Sequence, residues 1–310
     1  MPPAIVSCSR RSDVPALHAR WLMRRVRAGW VDVTNPMNAR QVRRVSLQRD
    51  DVAGLVLWTR WPAPLWSWHS EICDRLGPPL WLITLNNYPR VLEPRSPPAP
   101  RVVEQMQRLA IRDGCEAVHW RYDPIVVSSR TPPAFHVDNF GQLARALRGA
   151  TRHCHVSFVD LHYRKTQRRL TALAATGVQT QETDRAQRRS LVRQLAALGR
   201  EEGIEVLACC AQDLCDPPQL DLDGEEPTGV RAAGCVEMAW LRALRGDTTP
   251  DPPSRPTRPG CLCQASVDIG AYDTCSLGCV YCYATRSDAA GRDGRRRVDV
   301  GAPNLRPNSG

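Results

Sequence analysis

The sequence predicts an α/β protein whose parallel strands form a complete or partial (β/α) barrel. Short runs of β-branched and aromatic residues alternate along the chain with longer segments of helical periodicity. Such alternation is typical of parallel strands joined by crossover helices. Eight strand candidates are enough to close a barrel, and 310 residues is an ordinary length for one.

The predicted strands are short apolar runs that end at polar or turn-forming residues. They lie at residues 4–8, 30–34, 54–59, 80–86, 117–122, 155–160, 204–210 and 265–270. Helical periodicity falls between them, near residues 14–28, 64–76, 99–113, 135–149, 182–202 and 231–245. The segment 38–52 is an uncertain helical candidate.

Polar residues stand at the ends of most predicted strands, where the active sites of parallel barrels form. The candidate site residues among them are Arg10, Thr59, Asn86, Arg121, Asp123 and Asp160. Arg121 and Asp123 point to the same side of their strand, because side chains alternate along it. They either pair with each other or face a ligand, and a guanidinium suits an acidic ligand because it can bind a carboxylate bidentately.

The composition is that of a globular protein. Hydrophobic residues make up 42% of the chain and charged residues 24%, which excludes general disorder. Thirteen cysteines without an N-terminal secretion signal favour a reducing cytoplasm over a disulfide scaffold. No stretch approaches the roughly 18 apolar residues of a membrane span. We therefore expect a cytoplasmic protein with no membrane partner.

The formal net charge of +10 raises the question of a nucleic-acid partner, because basic surfaces attract phosphate. Almost all of this charge is arginine, and Lys165 is the only lysine, which is also the pattern that a GC-rich genome produces. We favour ordinary solvated arginines over nucleic-acid binding. The familiar serine-nucleophile, P-loop and dinucleotide motifs are absent from the sequence.

Three cysteines near the end of the chain form the most specific motif, in the run Cys275-Ser-Leu-Gly-Cys279-Val-Tyr-Cys282. At these spacings their sulfurs can turn toward one point, and thiolates are the ligands that iron–sulfur clusters and zinc select. Three thiolates on a four-iron cluster leave one iron free to bind a small molecule. A structural zinc site is the alternative, although zinc more often uses paired C-x-x-C motifs.

This C-x-x-x-C-x-x-C run, with Tyr281 before its last cysteine, resembles the signature of the radical S-adenosylmethionine (SAM) superfamily. The resemblance implies a 4Fe–4S cluster whose open iron chelates SAM, an aromatic side chain against the adenine, and a 5′-deoxyadenosyl radical as the reactive product. In most of that superfamily the cysteine loop follows the first strand of a TIM-like barrel. Here it follows the last predicted strand, as in a circularly permuted barrel.

The chain from Ile5 to about Ala284 also resembles an uncharacterised, radical-SAM-like bacterial family, the domain of unknown function eighteen forty-eight. The stretches that carry the resemblance include Ser9-Arg-Arg-Ser-Asp-Val-Pro15, Asn35-Pro-Met-Asn38, Trp58-Thr59, Trp120-Arg-Tyr-Asp-Pro124, Ser157-Phe-Val-Asp160 and Asp268-Ile-Gly-Ala-Tyr272. It implies one domain over residues 1–284, with a cysteine-rich cluster segment from about residue 205 and a weakly ordered tail at 285–310. A family without a known substrate implies none.

A second cysteine group matches positions where that family also places cysteine: Cys210, Cys235, Cys261 and Cys263. Four thiolates would complete a closed auxiliary 4Fe–4S cluster or a zinc site. The remaining six cysteines, outside both groups, are interpreted as small buried hydrophobic residues.

The resemblance gives the candidate residues their roles. Arg10, Arg121, Asp123 and Asp160 are expected to be catalytic, with Arg121 meeting the SAM carboxylate or a substrate acid and Asp160 the ribose or the substrate. Tyr281, Asn86 and Thr59 are expected to contact the cofactor. The arginines at several strand ends, rather than the resemblance, suggest an acidic substrate, either a small molecule or a nucleotide. The electron donor would be a protein such as flavodoxin or ferredoxin. The alternative is a non-catalytic nucleic-acid-binding protein stabilised by zinc or closed clusters.

Overall fold

The structure is a computed structural model that describes residues 3–161, 163–216 and 227–306. Its main element is a sheet of eight parallel strands. The strands are Ala4–Cys8 (β1), Val52–Thr59 (β4), Leu80–Thr84 (β5), Val118–Ile125 (β6), His153–Phe158 (β7), Glu205–Ala208 (β8), Arg231–Ala232 (β9) and Ser266–Asp268 (β10). The strands Trp30–Asn35 (β2) and Asn38–Ser46 (β3) pair antiparallel in a separate hairpin.

The strand order in the main sheet is β10-β1-β4-β5-β6-β7-β8-β9. The last strand of the chain therefore pairs with the first, in the register Ile5 to Ser266. No ladder joins β9 to β10 in the part of the chain that the structure describes, so the sheet is open. The segments beside these two edge strands do touch, since the Gln264 N–H donates to the Val236 carbonyl at 3.0 Å. The predicted parallel α/β architecture is confirmed, whereas closure into a barrel stays a prediction.

Two predicted elements differ from the structure. The strand at 30–34 lies in the hairpin rather than in the main sheet, and the uncertain segment 38–52 contains strand β3 instead of a helix. The eighth strand of the sheet is β9, which falls at the start of the helix predicted for residues 231–245. That helix begins only at Met238.

Helices connect the strands and pack on the sheet. Their bounds are Val14–Leu17 (α1), Ala19–Ala28 (α2), His69–Leu76 (α3), Ala99–Asp113 (α4), Pro133–Ala146 (α5), Arg164–Ala172 (α6), Arg185–Glu201 (α7), Met238–Arg245 (α8) and Asp288–Arg296 (α9). Local signals explain their ends. Helix α7 begins with a capping box between Asp184 and Gln187, and α2 ends at Gly29, whose φ of +75° favours glycine. None of the helices within the described ranges is both long and apolar enough to cross a bilayer.

Strand β6 shows how the two faces of the sheet differ. Trp120 and Tyr122 are buried in the larger core, among the residues of the outer helices. The intervening residues Arg121 and Asp123 face the opposite side, because side chains alternate along a strand, and both line a cavity there. Below the cavity, α8 packs closely on β4: a Cβ at Gly54 would lie 2.5 Å from the side chain of Leu241. The inner face is thus apolar below β4, carries the buried and mutually bonded His119 and His155 on β6 and β7, and is polar at its mouth.

The chain after Ala284, expected to be weakly ordered, contains helix α9 and returns to the hairpin. Ser287 caps α9 by accepting a hydrogen bond from the Ala290 N–H at 3.1 Å. The Asp32 N–H of β2 donates to the Pro303 carbonyl at 2.9 Å, and the Leu305 side chain is buried. Residues 307–310 lie outside the described part of the chain.

Candidate functional site

A cavity of about 800 Å³ opens at the carboxyl ends of the strands. Its volume is within the range of small-molecule sites. It brings together nearly all of the predicted site residues, namely Arg10, Thr59, Arg121, Asp123, Asp160, Cys210, Cys235, Cys261, Cys263, Cys275, Cys279, Tyr281 and Cys282. Asn86 is the one predicted site residue that does not line it. The convergence expected from strand ends is therefore present.

The loop that carries Cys275, Cys279 and Cys282 follows β10 and forms one wall of the cavity. Burial raises the pKa of the Cys275 thiol, and the neighbouring charges of Cys282, Asp13 and Cys279 raise it further. Burial likewise raises the pKa of Cys279 to about 12, against the opposing charge of Arg60. Thiols in such surroundings stay protonated unless a metal ion holds them as thiolates.

Backbone N–H groups of the same loop point at its sulfurs. The Ala284 N–H donates to Cys282 Sγ at 3.3 Å, and the Leu277 N–H donates to the sulfur of Cys275. Hydrogen bonds of this kind tune the electronic properties of protein-bound iron–sulfur clusters. In ligand type and in hydrogen-bond donors, the loop fits an iron–sulfur group.

No set of three or more His, Cys, Asp or Glu side chains is arranged to hold a single metal ion, as far as the described residues go. The four thiolates of a tetrahedral zinc ion lie about 3.8 Å from one another, given Zn–S bonds of about 2.3 Å. A cluster of four irons spans a larger volume and needs its thiolates farther apart. A zinc ion and a four-iron cluster therefore require different distances between the sulfurs of the cysteine loop.

Tyr281 is held from behind by a buried polar network. Its hydroxyl accepts a hydrogen bond from Arg60 Nη2 at 2.6 Å and one from Asn86 Nδ2 at 3.0 Å, and it donates to Glu93 Oε1. Arg60 and Glu93 form an ion pair of 2.9 Å within this network. These bonds fix the position of the hydroxyl, and the ring packs edge-on against Tyr88, with the ring centroids 6.1 Å apart.

This network changes the interpretation of Asn86. The sequence suggested that Asn86 contacts the cofactor, but its amide is fully buried and bonds to Glu93, to Tyr281 and to the backbone of Asp123. It positions Tyr281 instead of facing the cavity. Sequence reasoning missed Glu93, which lies in the proline-rich connection between β5 and α4 and is buried only through these tertiary contacts.

Two arginines share the ring of Trp58 inside the cavity. The guanidinium carbon of Arg10 lies 4.9 Å from the ring centroid and that of Arg121 lies 4.6 Å from it. Arg121 also pairs with Asp123, which accepts a hydrogen bond from Ser157, so the predicted pairing of Arg121 and Asp123 is present. Nη2 of Arg10 and Nε of Arg121 are buried without a hydrogen-bond partner among the described residues. The guanidinium groups of Arg10 and Arg121 both line the cavity, so both can bind an acidic group there.

The carboxylates around the mouth hold the chain in place. Asp268, which the sequence analysis did not assign, accepts from the Ser9 hydroxyl at 2.6 Å and from the Arg10 N–H at 2.7 Å. Asp13 caps α1, and it also accepts from the Thr59 hydroxyl at 2.7 Å. Thr59 thus lines the cavity with its hydroxyl already donating to protein. Asp268 is the last residue of β10, so the expectation that polar residues at strand ends form the site, which identified Asp160, applies to Asp268 as well.

The second cysteine group contains five sulfurs. Cys210, Cys235, Cys261 and Cys263 pack in one cluster that lines the cavity. Cys209 was predicted to be a small buried hydrophobic residue outside both groups. It accepts a hydrogen bond from the Cys235 thiol at 3.1 Å, and its sulfur lies 3.8 Å from Cys210 Sγ. Which member of an adjacent Cys209-Cys210 pair faces the group cannot be read from spacing alone.

Arg258 links this group to Asp160. Its guanidinium donates to the sulfur of Cys210 and lies 3.9 Å from Asp160 Oδ2. Burial lowers the pKa of the Arg258 guanidinium, but the hydrogen bond to Cys210 and the surrounding charges raise it overall. A cation at this point would stabilise thiolates in the group.

The comparisons with known proteins identify the family and nothing finer. No curated protein and no solved structure matches the chain. One family model, described as Domain of unknown function (DUF1848), matches residues 5–284, which is nearly the whole length. The chain therefore belongs to the DUF1848 family.

Proposed function

We propose that this protein is a radical SAM-type enzyme that acts on an acidic substrate in the cavity. The observation that carries the proposal is that Cys275, Cys279 and Cys282 line the same cavity as Tyr281 and the strand-end arginines. Three thiolates from one loop suit a four-iron cluster with one iron open to a ligand. The cavity volume of about 800 Å³ leaves room for both a cofactor and a substrate.

With a 4Fe–4S cluster and SAM bound, one electron from the cluster would cleave the sulfonium to methionine and a 5′-deoxyadenosyl radical, which takes a hydrogen atom from the substrate. The protein supplies the surroundings for this step. Tyr281, fixed by Arg60, Asn86 and Glu93, offers a rigid aromatic surface for the adenine. The electron itself would come from a reductant such as flavodoxin or ferredoxin.

The arginines over Trp58 are proposed to bind acidic groups. The unpartnered nitrogens of Arg10 and Arg121 suit a carboxylate or a phosphate. Arg121 keeps its charge because Asp123, Cys235, Cys209 and Tyr283 together outweigh the effect of burial and raise the pKa of the guanidinium. Asp160, near the mouth of the cavity, is the proposed acceptor for hydroxyl groups of the cofactor or the substrate.

The second cysteine group is proposed to hold an auxiliary cluster. Its predicted ligands Cys210, Cys235, Cys261 and Cys263 supply the four thiolates of a closed four-iron cluster. Such a cluster would hold these sulfurs farther apart than the contacts of 3.1 and 3.8 Å that Cys235 and Cys210 make with Cys209. Cys209 is then a fifth thiol, which is not needed as a ligand but contacts Cys210 and Cys235. Trp58, its two arginines and this group all line the same cavity.

Metal content and SAM turnover test the proposal together. After anaerobic reconstitution with iron and sulfide, the protein should be brown and should release 5′-deoxyadenosine when SAM and dithionite are added. A protein loaded with clusters that releases none would refute it. A colourless protein that binds zinc would instead favour a non-catalytic, metal-stabilised nucleic-acid-binding protein.

A further inference from the structure

We propose that the rim of the cavity binds single-stranded nucleic acid, so that the acidic substrate is a nucleotide within a strand. This inference rests on the proposed function, and it specifies the substrate class of that same site. It is carried by three features of the rim: unpaired cations, exposed tyrosines and an exposed hairpin. Each of them lies at the mouth of the cavity.

Four cations form the first feature, which we call the basic rim: Arg43, Arg164, Lys165 and Arg255. All four side chains are exposed. Arg43 and Arg255 line the cavity, and Arg164 and Lys165 are flanked by its lining residues Tyr163 and Thr166. None of the four has an ion-pair partner in the described chain. Many other surface arginines of this protein are paired, as Arg27 is with Glu71. Unpaired cations around one opening form a site for several phosphates.

Three tyrosines form the second feature. Tyr163, Tyr272 and Tyr283 all line the cavity, and they are 37%, 41% and 40% exposed. The rings of Tyr163 and Tyr283 stack with their centroids 5.5 Å apart, and Arg11 lies over the ring of Tyr272 at 5.5 Å. Exposed aromatic rings beside cations are the means by which proteins bind unpaired bases, because every base has a face that can stack.

The β2–β3 hairpin forms the third feature. It pairs with no strand of the main sheet, and most of β3 is exposed. Residues from both of its strands line the cavity, and Met37 at its turn is 91% exposed. The hairpin thus extends the surface beyond the cavity itself. A ligand larger than one nucleotide would contact it.

The size of the cavity decides how a strand would bind. A volume of about 800 Å³ suits one nucleotide beside a cofactor, not a run of several. The rest of a strand would therefore lie along the basic rim while one nucleotide enters the cavity, where the guanidinium groups of Arg10 and Arg121, which line it, can meet its phosphate. A single strand is favoured over a duplex because a paired base must first be unstacked.

Fluorescence anisotropy of the reconstituted protein without SAM tests this inference. The probe is a labelled single strand of about 12 nucleotides, compared with a hairpin duplex of the same sequence and with nucleoside monophosphates as competitors. We expect the single strand to bind at least about tenfold more tightly than the duplex. The variant Arg43→Gln/Lys165→Gln/Arg255→Gln should weaken binding about tenfold or more at low salt. It should also reduce the slope of log K against log salt by about 2.

The control variant is Arg112→Gln/Arg145→Gln. These two arginines are exposed in the last turns of α4 and α5, at the opposite end of the sheet from the cavity, because the helices run antiparallel to the strands. This variant should bind like the wild type. For the aromatic feature, Tyr272→Ala should weaken binding about fivefold or more, whereas Tyr272→Phe should not.

Equal binding by the rim and control variants would overturn the inference. A monophosphate that competes as well as the strand would also overturn it, because the site would then take a free nucleotide. The assay contains no SAM, so it is independent of cleavage. Intact strand binding without release of 5′-deoxyadenosine would count against the proposed function.

Discussion

Arg60 Nη1 lies 2.9 Å from Glu93 Oε1, and this buried ion pair lies directly behind Tyr281. The pair connects the cavity wall to two strand ends, because Arg60 follows β4 and Asn86, which bonds to Glu93, follows β5. Charges this deeply buried are stable only when they are paired. The orientation of Tyr281 therefore depends on the Arg60–Glu93 pair.

Glu93→Ala should destabilise the fold. It leaves the buried Arg60 guanidinium without its counter-ion, and loss of one partner of a buried pair typically costs about 3–5 kcal/mol. Urea denaturation measures the free energy of unfolding. Glu104→Ala on the exposed face of α4 is the control, with an expected change within about 0.5 kcal/mol. Equal stability of the two variants would show that the pair is not needed.

Tyr281 substitutions separate the ring from the hydroxyl. Tyr281→Phe keeps the ring, but Arg60, Asn86 and Glu93 each lose their hydrogen bond to the hydroxyl. We therefore expect the free energy of unfolding to fall by about 1–3 kcal/mol, while the affinity for SAM is largely retained. Tyr281→Ala removes the ring as well and should weaken SAM binding about tenfold. Equilibrium dialysis with labelled SAM measures the affinity. Weak binding by Tyr281→Phe would mean that the hydroxyl contacts the cofactor.

Single cysteine variants assign the clusters. Cys263→Ala should lower the iron content by about four per chain because it removes a proposed ligand, whereas Cys209→Ala should leave it unchanged because all four proposed ligands remain. Cys115→Ala is the control, since Cys115 precedes β6 at the end of the sheet opposite the cavity. Iron and sulfide analysis of the reconstituted variants gives the counts. If Cys209→Ala loses as much iron as Cys263→Ala, Cys209 is a ligand.

Arg121→Lys keeps a positive charge over Trp58 but loses the planar guanidinium. We expect KM for SAM or the substrate to rise about tenfold, because an ammonium cannot bind a carboxylate or phosphate bidentately. Arg108→Lys is a matched control, since Arg108 lies over Trp66 at 4.5 Å and does not line the cavity. Unchanged kinetics in Arg121→Lys would restrict Arg121 to its pairing with Asp123.

His69 should make stability depend on pH. Burial lowers the pKa of His69, but the hydrogen bonds and charges of Asp113, at 2.7 Å, and of Cys73 together outweigh it, and the pKa rises to about 9. Because the folded value exceeds the unfolded value of about 6.5, this stabilisation is complete below pH 6.5 and is lost as the pH rises through 9. We expect a loss of about 2 kcal/mol across that window.

Thermal unfolding at several pH values checks this prediction, with His69→Gln as the comparison. The variant should be less stable than the wild type at pH 6.5, and the difference should shrink toward pH 9.5. A constant difference would show that His69 does not carry the charge. The buried His18 and His136, whose pKa values burial lowers to about 4, stay neutral in this window and do not contribute.

The sequence predicted the main sheet and most of the site because both depend on local signals. Seven of the eight predicted strands lie in the main sheet, each as a short apolar run, and their ends converge as the barrel rule expects. Strand β3 was missed because seven of its nine residues are exposed, so no alternation marks it. Strand β9 has only two residues, too few for any periodic signal.

The residues that sequence reasoning missed are those that tertiary contacts alone define. Glu93 looks like a loop carboxylate until the structure buries it against Arg60 and Tyr281. Cys209 cannot be distinguished from Cys210 without the direction of the turn after β8. Asn86 was identified as a site residue by its position at a strand end, but its role depends on which way its amide points.

The central claim is that Cys275, Cys279 and Cys282 hold a cluster that cleaves SAM, and single-turnover release of 5′-deoxyadenosine tests it most directly. The reconstituted wild-type protein, mixed anaerobically with dithionite and SAM, should release this product. Cys279→Ala should release none, and Cys115→Ala should match the wild type. Wild-type protein with full iron and sulfide but no product, or equal product from Cys279→Ala, would contradict the account.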